Sequence, residues 1–124
     1  ISFNLFDFKN SLKDIYKKAD FCITRAGAST LAELIYFKVP FLAIPFPYST
    51  DDHQIYNAQF YKNKNCCWLI EQKDITENIL LEIISKIIFD KKDIQQKRKA
   101  MEEFNFNNTW ENNNKLILKT FNEN

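Results

Sequence analysis

The amino-acid sequence predicts an α/β fold, a Rossmann-like parallel sheet flanked by helices. Short apolar segments of strand type alternate with segments of helical periodicity along most of the 124 residues. Residues 39–44 are almost wholly apolar, which is typical of a parallel strand covered on both faces. Residues 79–88 place isoleucine and leucine on one stripe of a helix, and we expect that stripe to lie in the core.

The elements are expected in the order β-α-β-α-β-α-β-α-α-α. The expected strands are residues 1–8, 20–24, 39–44 and 66–70. The first expected helix is residues 12–18, with Ser11 as its N-cap. The second follows the turn 25–30 and buries Leu31, Leu34 and Ile35, and the third is residues 53–63. A fourth helix is capped by Asp74 or Thr76, a fifth covers residues 91–104, and after a break at 105–108 a last helix lies around Trp110, Ile117 and Phe121. Ligands of such sheets bind beyond the carboxyl ends of the strands, here residues 8–12, 25–33 and 45–57.

The composition indicates a single domain over residues 1–124. Seventeen Lys and Arg against 16 Asp and Glu give a net charge of +1, which argues against nucleic acid as a partner. The three cysteines are odd in number and two are adjacent, so we expect neither a disulfide framework nor a zinc site, and a reducing, cytoplasmic setting fits best. No apolar run approaches the ~20 residues of a membrane span, and no signal peptide is visible. The chain begins without Met, and we expect it to be part of a longer protein.

The first candidate site is the segment Gly27-Ala28-Ser29-Thr30-Leu31-Ala32-Glu33, where a predicted strand leads into a helix. Free backbone N–H groups at a helix start attract phosphate, and Gly27, the only glycine, would let the turn tighten. Thr30 and Glu33 share a helix face, where the Glu33 carboxylate could accept two hydrogen bonds from a ribose diol. The same two residues fit a capping box, and the motif taken alone favours that structural role.

The second candidate site is the pair Gln54 and Asn57, three residues apart at the start of a predicted helix. Their amides both donate and accept hydrogen bonds, which suits sugar hydroxyls. His53, the only histidine, could act as a general base, although a capping or solvated role is commoner. Asp51 and Asp52 could be paired catalytic carboxylates or metal ligands, but an N-cap with a favourable helix-dipole charge fits better.

Two groups of basic residues leave alternatives open. Arg25, at the end of a predicted strand, could face phosphate or pair with a carboxylate. The lysines and arginine at 91–92 and 97–99 fit a solvated helix face, although they could also contact anionic lipid.

Three blocks, in this order and spacing, resemble the MurG family, the UDP-N-acetylglucosamine:lipid I N-acetylglucosaminyltransferases of bacterial peptidoglycan synthesis. The blocks are Ala19-Asp20 with Arg25-Ala26-Gly27-Ala28-Ser29-Thr30-Leu31-Ala32-Glu33, then Val39-Pro40 with Ile44-Pro45-Phe46-Pro47, then Asp51-Asp52-His53-Gln54 with Asn57-Ala58. The resemblance implies the C-terminal half of a two-domain GT-B glycosyltransferase of family 28, the half that binds the sugar nucleotide.

The resemblance also implies a reaction, the inverting transfer of GlcNAc from UDP-GlcNAc to the muramoyl 4-hydroxyl of lipid I, at the cytoplasmic face of the bacterial inner membrane. It implies no cofactor and no metal, because helix N-termini and polar side chains offset the charge on the leaving UDP. Lipid I would bind through an N-terminal domain, and an anionic membrane surface is a further expected contact. That domain, with the family's proposed base, and the glycine-rich loop of the C-terminal domain are absent from the sequence, so we expect the chain alone to be inactive.

The resemblance implies specific substrate contacts. The implied substrate-binding residues are Lys9, Gly27, Ala28, Ser29, Thr30, Leu31, Ala32, Glu33, Gln54 and Asn57. The backbone at Lys9 would contact uracil, the segment 28–33 would contact the diphosphate and GlcNAc, and Glu33 would bind the ribose hydroxyls. Gln54 and Asn57 would contact GlcNAc hydroxyls, and His53 lies on the donor side, so it is not implied as the base. The family more often has Ile-Asp-Asp where this chain has Lys9-Asn10-Ser11.

Two alternatives stay open at this point. One is a donor-binding subunit of another UDP-sugar transferase of the GT-B type, beside a separate acceptor-binding partner, which the gene sequence upstream of Ile1 would distinguish. The other is a non-catalytic interaction module, against which the intact Glu33 and Gln54 argue.

Overall fold

The computed structural model describes residues 13–48 and 53–123, with side chains for residues 13–48 and 53–108. Its strands are β1 (Cys22–Thr24), β2 (Phe41–Ala43) and β3 (Cys67–Leu69), and its helices are α1 (Lys13–Lys18), α2 (Ala28–Tyr36), α3 (Gln54–Asn63), α4 (Glu77–Phe89) and α5 (Lys91–Glu123), with a 3-10 turn at Gln72–Asp74. The expected strand 1–8, the substrate contact at Lys9, the cap at Ser11 and the pair Asp51 and Asp52 lie outside the described residues.

The three strands form one parallel sheet in the order β1-β2-β3. In the central row of the register, Ile23 pairs with Leu42, and Leu42 pairs with Trp68. Each connection between the strands contains a helix, as parallel pairing requires. The predicted α/β class is therefore confirmed, and the carboxyl ends of all three strands lie at one edge of the sheet.

The core lies around β2 and α2. All three residues of β2 are buried, as predicted from its apolar sequence. Helix α2 buries Leu31, Leu34 and Ile35, the three residues that the helical spacing predicted, and packs against α3 and α5. Burial of side chains of this size stabilises the fold by about 1.5–3 kcal/mol each relative to exposed positions.

Helix α4 begins as expected, but its apolar stripe is less buried than predicted. Thr76 is the N-cap, and its hydroxyl oxygen accepts a hydrogen bond from the backbone N–H of Ile79 at 3.2 Å. Within the stripe only Ile87 is buried, whereas the side chains of Ile79 and Ile88 are 39% and 37% exposed. The reason is that α4 packs mainly against one neighbour, α5, which covers only part of the stripe.

The predicted break at residues 105–108 is wrong, because α5 runs without interruption through this segment. The Asn105 side-chain amide donates a hydrogen bond to the backbone carbonyl of Ile35 at 3.0 Å. Asparagine lowers helix stability by less than about 1 kcal/mol per residue, so a tertiary hydrogen bond of this kind offsets the low propensity.

The predicted solvated face of α5 is wrong at Lys97, which is 6% exposed. Its ammonium donates to Asn65 Oδ1 at 2.8 Å and to Asp93 Oδ1 at 3.1 Å, and it lies 5.0 Å from the centre of the Trp68 ring. The Trp68 indole N–H donates to the other oxygen of Asp93 at 3.0 Å. This network connects α5 to β3 and to the turn before β3, where Asn65 has φ of 61°.

Candidate functional site

The loops that follow β1 and β2 begin side by side at the carboxyl edge of the sheet. The backbone N–H of Ile44 donates to the carbonyl of Thr24 at 2.8 Å, and that of Ile70 donates to the carbonyl of Ala43 at 3.1 Å. The parallel ladder thus continues one residue beyond the strands. The segments 25–27, 44–46 and 70–72 consequently lie next to one another, as the rule for parallel sheets predicts.

Helix α2 begins at this edge, and its first turn overturns the capping-box interpretation. The N-cap is Gly27, which has φ of −65° and ψ of 139° and makes no side-chain cap, and its carbonyl accepts from the N–H of Leu31 at 3.0 Å. Thr30 is therefore already inside the helix and cannot be its N-cap. These torsion angles are open to any residue, so the expectation that the turn needs the freedom of glycine is also wrong.

The N-terminal amides of α2 are available for an anion. Within the described residues, the backbone N–H groups of Ala28, Ser29 and Thr30 have no hydrogen-bond partner, and Ala28 and Ser29 are exposed. The first N–H groups of a helix carry the positive end of its dipole. A phosphate group placed here would be stabilised by both effects.

Glu33 lies one turn further along α2 and is exposed. Burial, followed by the charge of Glu33 and hydrogen bonding with it, raises the pKa of the Tyr16 hydroxyl on α1. The Glu33 carboxylate therefore lies close to Tyr16 and, being exposed, keeps lone pairs that can accept from a ligand diol.

Leu31 does not fit the role that the resemblance implied. Its side chain is completely buried, and its backbone N–H is already bound to Gly27. No group of this residue is left for a substrate, so we assign Leu31 to the core. The neighbouring Ala32 is exposed, and its role stays a prediction.

Gln54 and Asn57 lie beside the start of α2, and both contact Ala26. Gln54 Oε1 accepts from the backbone N–H of Ala26 at 3.1 Å and from that of Phe46 at 2.8 Å. Asn57 Nδ2 donates to the carbonyl of Ala26 at 3.1 Å. The structure thus brings both predicted sugar-binding amides to the loop before α2.

Among the described residues Arg25 is not paired with a carboxylate, and the alternative that it faces a phosphate stays a prediction. Its guanidinium donates to the carbonyl of Ile44 at 3.3 Å and to Gln72 Oε1 at 2.7 Å, and it lies 5.6 Å from the centre of the Phe46 ring. It therefore connects the loops after β1, β2 and β3. Sequence reasoning missed Gln72 and Tyr16. Gln72 follows a predicted strand closely enough for the carboxyl-end rule to have identified it, whereas no sequence signal indicated Tyr16.

Two shallow grooves flank the Gln54–Asn57 pair. A groove of about 270 Å³ is lined by Ala28, Asn57 and the aromatic residues Tyr56, Phe60 and Tyr61. A second groove of about 230 Å³ lies between residues 45–47 and 53–55 on one side and 71–73 on the other. The start of α2 therefore opens onto an aromatic wall that a sugar ring could contact.

His53 offers little support for a catalytic role. It occupies the N-cap position of α3 without a side-chain cap, it is exposed, and its ring contacts Tyr56 at 5.6 Å between centroids. Among the described residues, no group of three or more His, Cys, Asp or Glu side chains could hold a metal ion. The described helices include none with the length and apolar character needed to cross a membrane.

Comparisons with known proteins agree with this geometry. The model of the glycosyltransferase family 28 C-terminal domain matches residues 1–112. A UDP-N-acetylglucosamine–N-acetylmuramyl-(pentapeptide) pyrophosphoryl-undecaprenol N-acetylglucosamine transferase of Pelagibacter ubique is 46% identical over all 124 residues, which cover 35% of that protein. The protein of the same name from Rickettsia bellii is 36% identical over 101 residues, which are 82% of this chain and 28% of the relative.

A solved structure is similar as well. The crystal structure of Acinetobacter baumannii MurG matches 80% of this chain and 28% of its own chain, with a TM-score of 0.71 and 26% identity. The sheet and its flanking helices are thus those of the Rossmann-like C-terminal half of a GT-B glycosyltransferase. The chain spans about a third of the length of these two curated relatives.

Proposed function

The chain belongs to glycosyltransferase family 28, in the C-terminal domain, and from this premise we propose that it forms the donor-binding part of an N-acetylglucosaminyltransferase that uses UDP-GlcNAc. The observation that carries the proposal is the start of α2, where three N–H groups lack partners among the described residues and an acidic side chain follows one turn later. A nucleoside diphosphate presents both a diphosphate and a vicinal diol, so it matches both features.

In the proposed complex the diphosphate lies against the amides of Ala28, Ser29 and Thr30. Glu33 accepts hydrogen bonds from the two ribose hydroxyls, and the Tyr16 hydroxyl holds its carboxylate. The amides of Gln54 and Asn57 contact GlcNAc hydroxyls, and the absence of a side chain at Gly27 allows a close approach to the backbone. Lys9 would supply the uracil contact.

The chemistry that these residues support is departure of UDP. As the bond between the sugar and the diphosphate breaks, negative charge grows on the phosphate oxygens. Fixed N–H dipoles at the start of α2 would stabilise that charge without reorganisation.

For the whole protein we propose transfer of GlcNAc from UDP-GlcNAc to a muramoyl hydroxyl of the lipid-linked acceptor that the relatives' names describe. The acceptor-binding site and the catalytic base would then lie in polypeptide outside this chain, so the chain alone would not catalyse transfer. We further propose a location at the cytoplasmic face of the membrane, where such an acceptor is accessible.

The test is isothermal titration of the protein with UDP, 2′-deoxy-UDP, UDP-GlcNAc and UDP-glucose. Loss of the two hydrogen bonds to ribose in Glu33→Ala should cost about 1.5–3 kcal/mol of UDP binding, which is a decrease in affinity of roughly 10- to 150-fold. The decrease should be smaller for 2′-deoxy-UDP, which has already lost one of these bonds.

The matched control is Glu102→Ala, because Glu102 is an exposed carboxylate on α5. This variant should bind UDP as the unmodified chain does. Equal losses for UDP and 2′-deoxy-UDP in Glu33→Ala would contradict the ribose contact. Tighter binding of UDP-glucose than of UDP-GlcNAc would point to another UDP-sugar transferase.

A further inference from the structure

The residue that precedes the N-cap of α2 has both of its backbone polar groups bound by side chains from α3. Ala26 is completely buried, so its N–H and carbonyl need partners within the protein. Gln54 Oε1 accepts from the N–H at 3.1 Å, and Asn57 Nδ2 donates to the carbonyl at 3.1 Å. We refer to these two side chains on Ala26 as the amide clamp.

The amide clamp also reaches the next loop. The same oxygen of Gln54 accepts from the backbone N–H of Phe46 at 2.8 Å. One side-chain atom thus connects the loop after β1 to the loop after β2. Neither loop supplies these bonds for itself, because Gln54 is 28 residues from Ala26 and 8 from Phe46 along the chain.

These two hydrogen bonds determine the orientation of the Gln54 side-chain amide, that is, the positions of its oxygen and its nitrogen. Only its oxygen can accept from two N–H donors, so the nitrogen is directed to neither of them. Within the described part of the chain, Nε2 makes no hydrogen bond, so it is the group that can meet a ligand. Gln54 can therefore donate to a bound sugar while it cannot accept from one.

We propose that Gln54 and Asn57 are positioning residues for the diphosphate site as well as sugar contacts: the amide clamp holds Ala26, and thereby the first amides of α2, and it leaves Gln54 as a hydrogen-bond donor only. This inference rests on the proposed function. Ala28 is two residues beyond Ala26, so a shift of Ala26 moves the N–H groups that would face the phosphates. Fixed donors bind an anion better than mobile ones, because they need no reorganisation on binding.

Two substitutions separate the positioning role from the sugar contact. Gln54→Met has a similar length but cannot accept from Ala26 and Phe46. Gln54→Glu keeps oxygens that accept both N–H bonds and loses the only donor. The measurements are hydrogen exchange at the amides of Ala26 and Phe46 in the unliganded protein, and titrations with UDP and UDP-GlcNAc, using the longest polypeptide that carries this chain.

We expect Gln54→Met to accelerate hydrogen exchange at both amides and to weaken the binding of UDP by about five- to tenfold. This loss would occur although UDP has no GlcNAc group for Gln54 to contact. Exchange at Leu42 in β2 should not change, which separates a local effect from unfolding. In Gln54→Glu, exchange at Ala26 and Phe46 should stay slow, while the preference for UDP-GlcNAc over UDP should fall. Free UDP carries more negative charge than UDP-GlcNAc, so repulsion by the carboxylate that Glu adds weakens UDP more and cannot itself produce this fall in preference.

The outcomes are distinguishable. Unchanged UDP affinity in Gln54→Met would overturn the positioning role, and rapid exchange in Gln54→Glu would overturn the acceptor role. A preference for UDP-GlcNAc that survives in Gln54→Glu would overturn the donor-only contact. If the unmodified protein binds neither UDP nor UDP-GlcNAc, the proposed function fails, and this inference fails with it.

Discussion

Replacement of Lys97 by Met should destabilise the protein far more than an ordinary lysine substitution on a helix. Lys97 is 6% exposed, and its ammonium binds both Asn65 and Asp93 while it lies over the ring of Trp68. The variant Lys97→Met keeps most of the volume and removes the charge. It leaves the carboxylate of Asp93 and the amide of Asn65 without this partner.

The magnitude follows from what each partner loses. Breaking a buried ion pair costs about 3–5 kcal/mol. The Asp93 side chain is 33% exposed and keeps its bond from the Trp68 indole, so its share of the penalty is smaller. Loss of the bond to Asn65 adds about 1 kcal/mol, and burial of the Met side chain recovers part of the total. We therefore expect the free energy of unfolding to fall by about 2–3 kcal/mol.

The measurement is urea unfolding followed by far-ultraviolet circular dichroism, because Trp68 belongs to the network and its fluorescence would change for other reasons. The matched control is Lys86→Met, which breaks a second i,i+4 pair, with Glu82 at 3.4 Å, in which both side chains are exposed. That variant should lose less than about 0.5 kcal/mol. If the two variants lose the same free energy of unfolding, the buried contacts of Lys97 do not stabilise the protein more than an exposed ion pair does.

Two further predictions concern stability. Thr76→Ala should lower the free energy of unfolding by about 1 kcal/mol, because the hydroxyl caps the N–H of Ile79, whereas Thr76→Ser should retain most of the stability in the same urea experiment. Burial raises the pKa of the Cys66 thiol from 9.0 to about 11 and that of Cys67 to about 12, so both thiols stay protonated in the folded protein while unfolded thiols ionise. Stability should be fully present below the unfolded pKa and fall as the pH rises toward the folded values, by about 1 kcal/mol per pH unit for each thiol. Replacing both cysteines by Ala should reduce this alkaline loss in unfolding measurements across the range, and an unchanged slope would contradict it.

The location of the candidate site follows from local patterns in the sequence. The apolar run at 39–44 and the spacing of Leu31, Leu34 and Ile35 predicted a buried parallel strand and the helix that covers it. Parallel order then places every strand end at one edge, so the segments that contain Glu33 and Gln54 had to lie near one another.

The local details of the site were harder to predict. The capping box at Thr30 was wrong because the helix begins three residues earlier, with Gly27 as the N-cap. Composition does not decide between two N-cap positions that lie so close together. The assignment of Leu31 to the substrate was wrong because its side chain belongs to the core. Arg25 and Gln72, which are 47 residues apart, meet only because β1 and β3 end at the same edge.

The sequence by itself determined the order of strands and helices from α1 to α4, the class of the fold and the edge that carries the candidate site, because periodicity and apolar runs depend on neighbours a few residues away. Only the tertiary structure decided which polar groups are satisfied within the protein. In the folded protein Lys97 is buried between α5 and β3, and a hydrogen bond from Asn105 to the carbonyl of Ile35 stabilises the asparagine-containing part of α5. The side-chain oxygen of Gln54 accepts from the N–H groups of Ala26 and Phe46. Those outcomes depend on hydrogen-bond partners that lie far apart along the chain, and a side chain has no such partner until the elements have packed.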